Sequence, residues 1–250
     1  MQNKNHNKPF RKDHKEHFRS ERERIGNLSQ IREFIFGAQD GLLVPLGVVS
    51  SVAGAFFNNH IVLVSGIAEG LAGAFSMATG AFLASQAESQ VHKHEIKREH
   101  SEIEKDYEHE KSEMVALFHH EGLPLENAAA VVENLAKSQN SFFTTMVQKE
   151  LGLDPHPFGT PLRDALFVGL SYLGSAAIPL LPYFFISARQ AIYYSIGFTL
   201  LALFALGTFK ARFAALNYVK SGLQVLAVGA FSGLGGYFLG IVLPRILNIK

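Results

Sequence analysis

The chain has 250 residues, 48% hydrophobic and 18% charged, with a formal net charge of +1. That hydrophobic fraction excludes a mainly disordered chain, and the balance lacks the basic excess of a nucleic-acid binder. With no cysteine there is no disulfide scaffold, thiolate metal site or cysteine nucleophile.

The charges are unevenly placed. Residues 1–33 carry nine Lys/Arg and five Asp/Glu, whereas residues 34–84 carry only Asp40 and Glu69. Residues 85–164 carry eight basic and fifteen acidic residues, and residues 165–250 carry six basic residues and no acid. Two apolar blocks therefore flank one acidic block.

In chain order, residues 1–32 read as a basic tail, disordered and drawn to anionic lipid, with no apolar core of a cleavable signal. A bilayer crossing needs about 20 mostly apolar residues. Residues 34–57 supply one and residues 61–87 a second, interrupted only by Asp40 and Glu69 respectively. Residues 88–160 then form a polar helical domain. A long helix is expected over residues 86–118, which hold no Gly or Pro, followed by helices at about 125–137 and 141–151 that are bounded by Gly122, Pro124 and Gly152. A proline-rich linker leads to residues 161–250, where 165–186, 191–209 and 222–243 are three further uncharged spans. Pro45 and Pro179 interrupt spans, and Pro182 is placed at the end of one. Gly66/Gly70, Gly229/Gly233 and Gly236/Gly240 are small-residue pairs that let helices pack closely. The fold class is all-α: a polytopic membrane protein of five transmembrane helices with a three-helix domain between spans two and three. Lys210, Arg212 and Lys220 lie between spans four and five, and no Lys or Arg follows span one. The positive-inside rule then puts the N-terminus and the acidic domain in the cytoplasm. Arg245 and Lys250 speak against the outward C-terminus that follows from five spans.

An ionisable group inside a membrane is costly and usually faces a polar pathway. Asp40 lies about 10 Å into the first span and Glu69 about 12 Å into the second from the opposite side, at 1.5 Å per residue. With no intramembrane Lys or Arg beside them, two acids at different depths form a ladder for a cation or proton. Met77 follows Glu69 by about 12 Å on the same helix and on a neighbouring face. Carboxylates mixed with a thioether favour Fe(II), Mn(II) or Co(II) over harder ions. In the acidic domain, Glu95, Glu99, Glu102, Asp106, Glu110 and Glu113 fall on one helical stripe, and Met146 and Glu150 are four apart on the third helix. From pattern alone this stripe fits a solvated face, partnered by Lys97, Arg98, Lys105 and Lys111, as well as it fits a cation site. His92, His94, His100 and His109 read as exposed, and His6, His14 and His17 belong to the tail. No Glu-x-x-His occurs, which weighs against a di-iron ferroxidase. No phosphate-binding loop occurs either, so ATP-driven transport by this chain is not expected.

The residues from Arg32 and Glu33 through Asp40 and Gly41 to Pro45 resemble the opening motif of the vacuolar iron transporter family. The residues from Gly66 through Glu69 to Ser76 and Met77 resemble its second-span motif, and those from Ile178 to Tyr183 its third-span motif. The likeness covers about residues 31–245. It implies a five-span homodimer that exports Fe(II), and often Mn(II), from the cytosol against protons. It also implies a pore lined by Asp40, Glu69 and Met77, with Glu33 near the cytoplasmic entrance. The ligands it implies in the cytoplasmic domain are Glu99, Glu102, Glu110, Glu113, Met146 and Glu150. Asp106 and Glu95 are not among them. The chain departs from the pattern at Val147 and Gly73, where further methionines are found, which leaves fewer soft ligands.

The expected function is proton-coupled export of Fe(II) and/or Mn(II), serving metal homeostasis, and not an enzymatic one. The alternatives are a membrane-anchored iron store or ferroxidase, and a metal sensor without transport. No permanently bound cofactor is expected; Zn(II) and Co(II) are further candidates for the cytoplasmic domain. Expected partners are a second copy of the chain, divalent ions, protons and the bilayer, but not nucleic acid. A bacterial inner membrane is favoured over a vacuole-type membrane.

Overall fold

The stretch 12–32 contains no proline and is rich in Glu, Lys and Arg, all good helix formers. In the computed structural model it is helical: α1 runs Lys12–Phe56. This differs from the expectation of a disordered tail from residue 12 onward; the many strong helix formers outweigh Gly26. The structure describes the backbone of residues 12–155, 160–214 and 216–246, and side chains from residue 30 onward except 214, 232–234, 236–237, 239–241 and 243–246. The first part of the tail, with His6, lies outside the described residues.

After α1 come α2 (Asn59–Lys105), α3 (Tyr107–His120), α4 (Leu125–Ala136), α5 (Gln139–Lys149), α6 (Pro161–Phe185), α7 (Ala188–Ala214) and α8 (Tyr218–Ile246). No strand occurs among the described residues. Among the described residues, four stretches are long and apolar enough to cross a membrane: Gln30–Phe56 of α1, α2, α6, and Ala188–Phe213 of α7. The fifth expected span, 222–243, falls on α8, where many side chains lie outside the described residues, Gly233, Gly236 and Gly240 among them.

The chain forms two compact units, one of residues 1–82 with 162–250 and the other of residues 83–161. In the first, α1 packs against α7 and α8. Ala38, Leu42 and Leu43 of α1 meet Leu203 and Leu206 of α7 and Val225 of α8. Further along α1, Val49 and Ala53 join Val62 of α2, Leu180 and Tyr183 of α6, and Ala191 and Ile192 of α7. The crossing of α1 with α6 depends on glycine. A Cβ at Gly37 would collide with the Val168 carbonyl oxygen, and one at Gly41 with that of Tyr172. This pair, four residues apart, escaped the sequence reading; Gly66 and Gly70, which did not, pack against Leu180 and Ala176 of α6.

Polar side chains serve backbone groups that the apolar surroundings would otherwise leave unpaired. The short turn after α1 caps two helices. Asn58 Oδ1 accepts from the His60 and Ile61 amides, and Asn59 Nδ2 donates to the Tyr183 and Ile186 carbonyls at 2.7 and 2.6 Å, at the end of α6. Pro45 lies inside α1, and Pro179 and Pro182 both lie inside α6. Pro182 was expected at a helix end, but the helix continues past it to Phe185. The Ser195 hydroxyl of α7 donates to the Pro179 carbonyl at 2.7 Å.

In the second unit, Met114 of α3, Val132 of α4, and Phe142 and Met146 of α5 form the core, with Ile103 of α2 packed against them. The single long helix expected over 86–118 is in fact two. Asp106 leaves helical geometry (φ −143°, ψ 71°), and its carboxylate accepts from the His109 amide as the N-cap of α3. An aspartate competes well for such a role, and helix propensity alone does not register it. Gly122 and Gly152, both at positive φ, end α3 and follow α5.

Candidate metal site

The second unit holds the densest acidic feature. α2 carries Glu99 and Glu102, α3 carries Glu110 and Glu113, and Glu150 is the residue that ends α5. Carboxylate oxygens of Glu99, Glu110 and Glu150 all lie within 4.8 Å of one another. Glu99 is only 1% exposed and Glu110 6%, while Glu150 is open to solvent. Both carboxylate oxygens of Glu99 are buried without a hydrogen-bond partner.

Burial, then the negative charges of Glu150, Glu110 and Glu102, hold the Glu99 carboxyl at about 7, well above its ordinary 4.5. Burial and the Glu113 charge raise that of Glu110, with Glu150 and Glu102 adding to the effect. Glu150 is raised likewise, by burial and then by Glu113 and Glu102. The five carboxylates therefore act as one electrostatic group. The cost of burying Glu99 and Glu110 among these charges is offset by bound protons or by a cation.

The reading of the stripe as a solvated, paired face fails at Glu99, which is neither solvated nor paired. Lys111 pairs with Glu133 at 2.6 Å and Glu108 at 3.6 Å, and not with a stripe residue. Arg98 reaches Glu95 at 3.0 Å and Glu102 at 3.6 Å from an exposed position. Of the two stripe acids outside the group, Glu95 makes the shorter of the two Arg98 contacts, and Asp106 caps α3. Met146, on α5 one turn before Glu150, is fully buried in the core beside Met114.

The acids of the first unit's apolar spans lie on different helices. Asp40 and Glu69 are half-buried, on α1 and α2, and no Lys or Arg pairs with either among the described residues. Glu33, nearer the start of the apolar stretch of α1, pairs with Arg32 at 2.7 Å. Met77 packs against a cluster of Ala74, Tyr172 and Ala176. Tyr172 of α6 is 2% exposed, and its hydroxyl donates to Glu69 Oε1 at 2.5 Å. The other oxygen, Oε2, is buried with no partner. Tyr172 thus touches the surroundings of both Glu69 and Met77, yet nothing in the sequence marks it out. A tyrosine in an apolar span is an ordinary packing residue unless the helix crossing is known. Gly73, noted as a lost methionine, lies against the Tyr172 hydroxyl, where a Cβ would collide with it.

Chemically, the acidic group offers several carboxylates, an oxygen donor set for a divalent cation. Asp40 and Glu69 supply one carboxylate each from α1 and α2, a sparser donor set that holds such an ion more weakly and lets it leave.

The sequence profile of the VIT family matches residues 31–241. Vacuolar iron transporter 1 of Tulipa gesneriana is 36% identical over 208 residues, covering 83% of this chain and 84% of that protein. Vacuolar iron transporter 1 of Arabidopsis thaliana is 33% identical over 216 residues, 86% of each chain. The vacuolar iron transporter of Plasmodium falciparum is 30% identical over 228 residues, covering 87% and 84% respectively. Matched over most of its length by this profile and these relatives, and built on helices able to cross a bilayer, the chain is an integral membrane protein that belongs to the VIT family.

Proposed function

We propose that the protein exports a divalent transition metal, Fe(II) and/or Mn(II), from the cytosol across a membrane in exchange for protons. The observation that carries this reading is the gathering of Glu99, Glu110 and Glu150, with Glu99 buried and unpaired. Such a group is stable only when protonated or neutralised by a cation. Its relatives' printed function, iron transport, names a cation that suits the donors.

In this reading the acidic unit lies in the cytosol and collects the ion with Glu99, Glu102, Glu110, Glu113, Met146 and Glu150. Five spans from each of two copies form the pathway. Glu33 stands near its entrance, and Asp40, Glu69 and Met77 take the ion in turn. Protons and metal compete for the same carboxylate oxygens, so the arrival of one releases the other. That competition couples the two flows without a covalent step.

The test is Fe(II) and Mn(II) flux into proteoliposomes holding the full chain, with and without a pH gradient that is acidic on the receiving side. The expected result is flux that depends on the gradient. Metal binding without flux would favour a sensor, and oxygen consumption with Fe(II) would favour a ferroxidase; either result overturns the proposal.

A further inference from the structure

Glu69 does not present two equal oxygens. Oε1 accepts the Tyr172 hydroxyl at 2.5 Å, and Oε2 is buried and unpartnered. The tyrosine has little freedom to withdraw. It is 2% exposed, packed among Ala74, Ala176 and Met77, and its own carbonyl lies against Gly41 of α1. The hydroxyl reaches Glu69 through space that exists because residue 73 has no side chain. A Cβ there would meet Tyr172 Oη, Cζ and Cε1, all too close for a real contact. Tyr172 of α6 and Gly73 of α2 therefore cooperate to occupy one oxygen of one carboxylate.

Metal ions differ in what they ask of a carboxylate. Ca(II) takes six to eight oxygens and often grips a carboxylate by both. Fe(II) and Mn(II) are smaller ions that settle for an octahedral set or less, to which a carboxylate can give a single oxygen. Groups that hydrogen-bond a ligand fix its orientation and tune its affinity for metal.

We propose that Tyr172, seated by Gly73, is a specificity-determining positioning residue that limits Glu69 to one available oxygen and so disfavours Ca(II) against Fe(II) and Mn(II). The proposal rests on the transport reading above. Tyr172 acts on the ion through Glu69 and need not touch it.

The test uses the full chain in proteoliposomes, with Mn(II) as the transported ion and Ca(II) as competitor, in the parent, Tyr172→Phe and Gly73→Ala. The readout is the ratio of the Ca(II) concentration giving half-inhibition to the Mn(II) concentration giving half-maximal flux. A transporter damaged uniformly, or inserted in smaller amount, leaves this ratio alone. In Tyr172→Phe the second oxygen of Glu69 is released, and the ratio is expected to fall about tenfold, the lower end of what losing such a partner does to metal affinity. Gly73→Ala keeps the hydroxyl but takes its place, and is expected to lower the ratio in the same direction. A fall in Tyr172→Phe supports the proposal; if that variant fails to reach the bilayer, Gly73→Ala decides alone. An unchanged ratio, or loss of Mn(II) flux in both variants, overturns it. Absence of Mn(II) flux in the parent is a different result, and removes the transport reading itself.

Discussion

The two acidic regions solve opposite problems with the same side chain. In residues 83–161, three carboxylates share a space in which their oxygens lie within 4.8 Å, and burial with mutual repulsion raises the affinity of each for protons. In the apolar spans, Asp40 and Glu69 stand on different helices, and the visible partner of Glu69 is a neutral hydroxyl. Crowded acids gain by holding a cation, whereas a sparser set holds it more weakly and releases it. A transporter needs both properties, and placing them in different parts of the chain avoids a compromise at one site.

The two regions should differ most at Asp40. Asp40→Ala is expected to lower metal flux by roughly 100-fold or more, since a pathway acid has no local substitute. Equilibrium Mn(II) binding by the same preparation is expected to stay at the parent level. Flux near that of the parent removes Asp40 from the pathway.

A smaller, crossed effect is expected in the acidic group. Without metal, at a pH above 7, Glu99→Gln with Glu110→Gln removes repelling buried charge and should raise the melting temperature of the protein. With saturating Mn(II) the order should reverse, because the substituted protein gains little from the ion. Thermal melts with and without metal check both halves; the same order in both conditions shows that no cation holds the group together.

The pH dependence follows in sign. The folded protein keeps a proton on Glu99 up to about 7, whereas an ordinary glutamate loses it near 4.5. Between these values the folded state binds more protons than the unfolded state, so stability falls as pH rises. Melting of the metal-free protein should therefore drop across that window, and Mn(II) should flatten the decline. A melting temperature that rises from pH 4.5 to 7 in the metal-free protein contradicts the burial of Glu99.

The smallest effect concerns the scaffold. Gly41→Ala places a methyl group against the Tyr172 carbonyl, and overpacking of that kind costs about 1–3 kcal/mol. A melt of the detergent-solubilised protein measures it, and Gly47→Ala, with open space around its Cβ, is the control expected to change little by steric overlap.

The apolar spans were legible because their signal is cumulative: many uncharged residues in a row leave few alternatives in a chain of this size. The acids were legible as positions for the same reason, since Asp40 and Glu69 are the sole charges among residues 34–84. Which stripe residues converge was not legible from spacing. Glu95 and Asp106 fit the pattern as well as Glu99 and Glu110, but Asp106 is taken by a helix cap and Glu95 by Arg98. Glu150 joins through a separate helix, α5, a contact that depends on folding rather than sequence distance. Tyr172 and the Gly37/Gly41 crossing share that limit: each becomes meaningful only when α6 lies beside α1 and α2.

Under the proposed function labour is divided: the acidic group collects the ion and the intramembrane acids conduct it. Mn(II) flux as a function of Mn(II) concentration in the Glu99→Gln, Glu110→Gln protein tests this most directly. The expected result is a half-saturating concentration about tenfold or more above that of the parent, with the maximal rate retained. A maximal rate that collapses while half-saturation stays unchanged would place these glutamates in the conducting step and contradict the division.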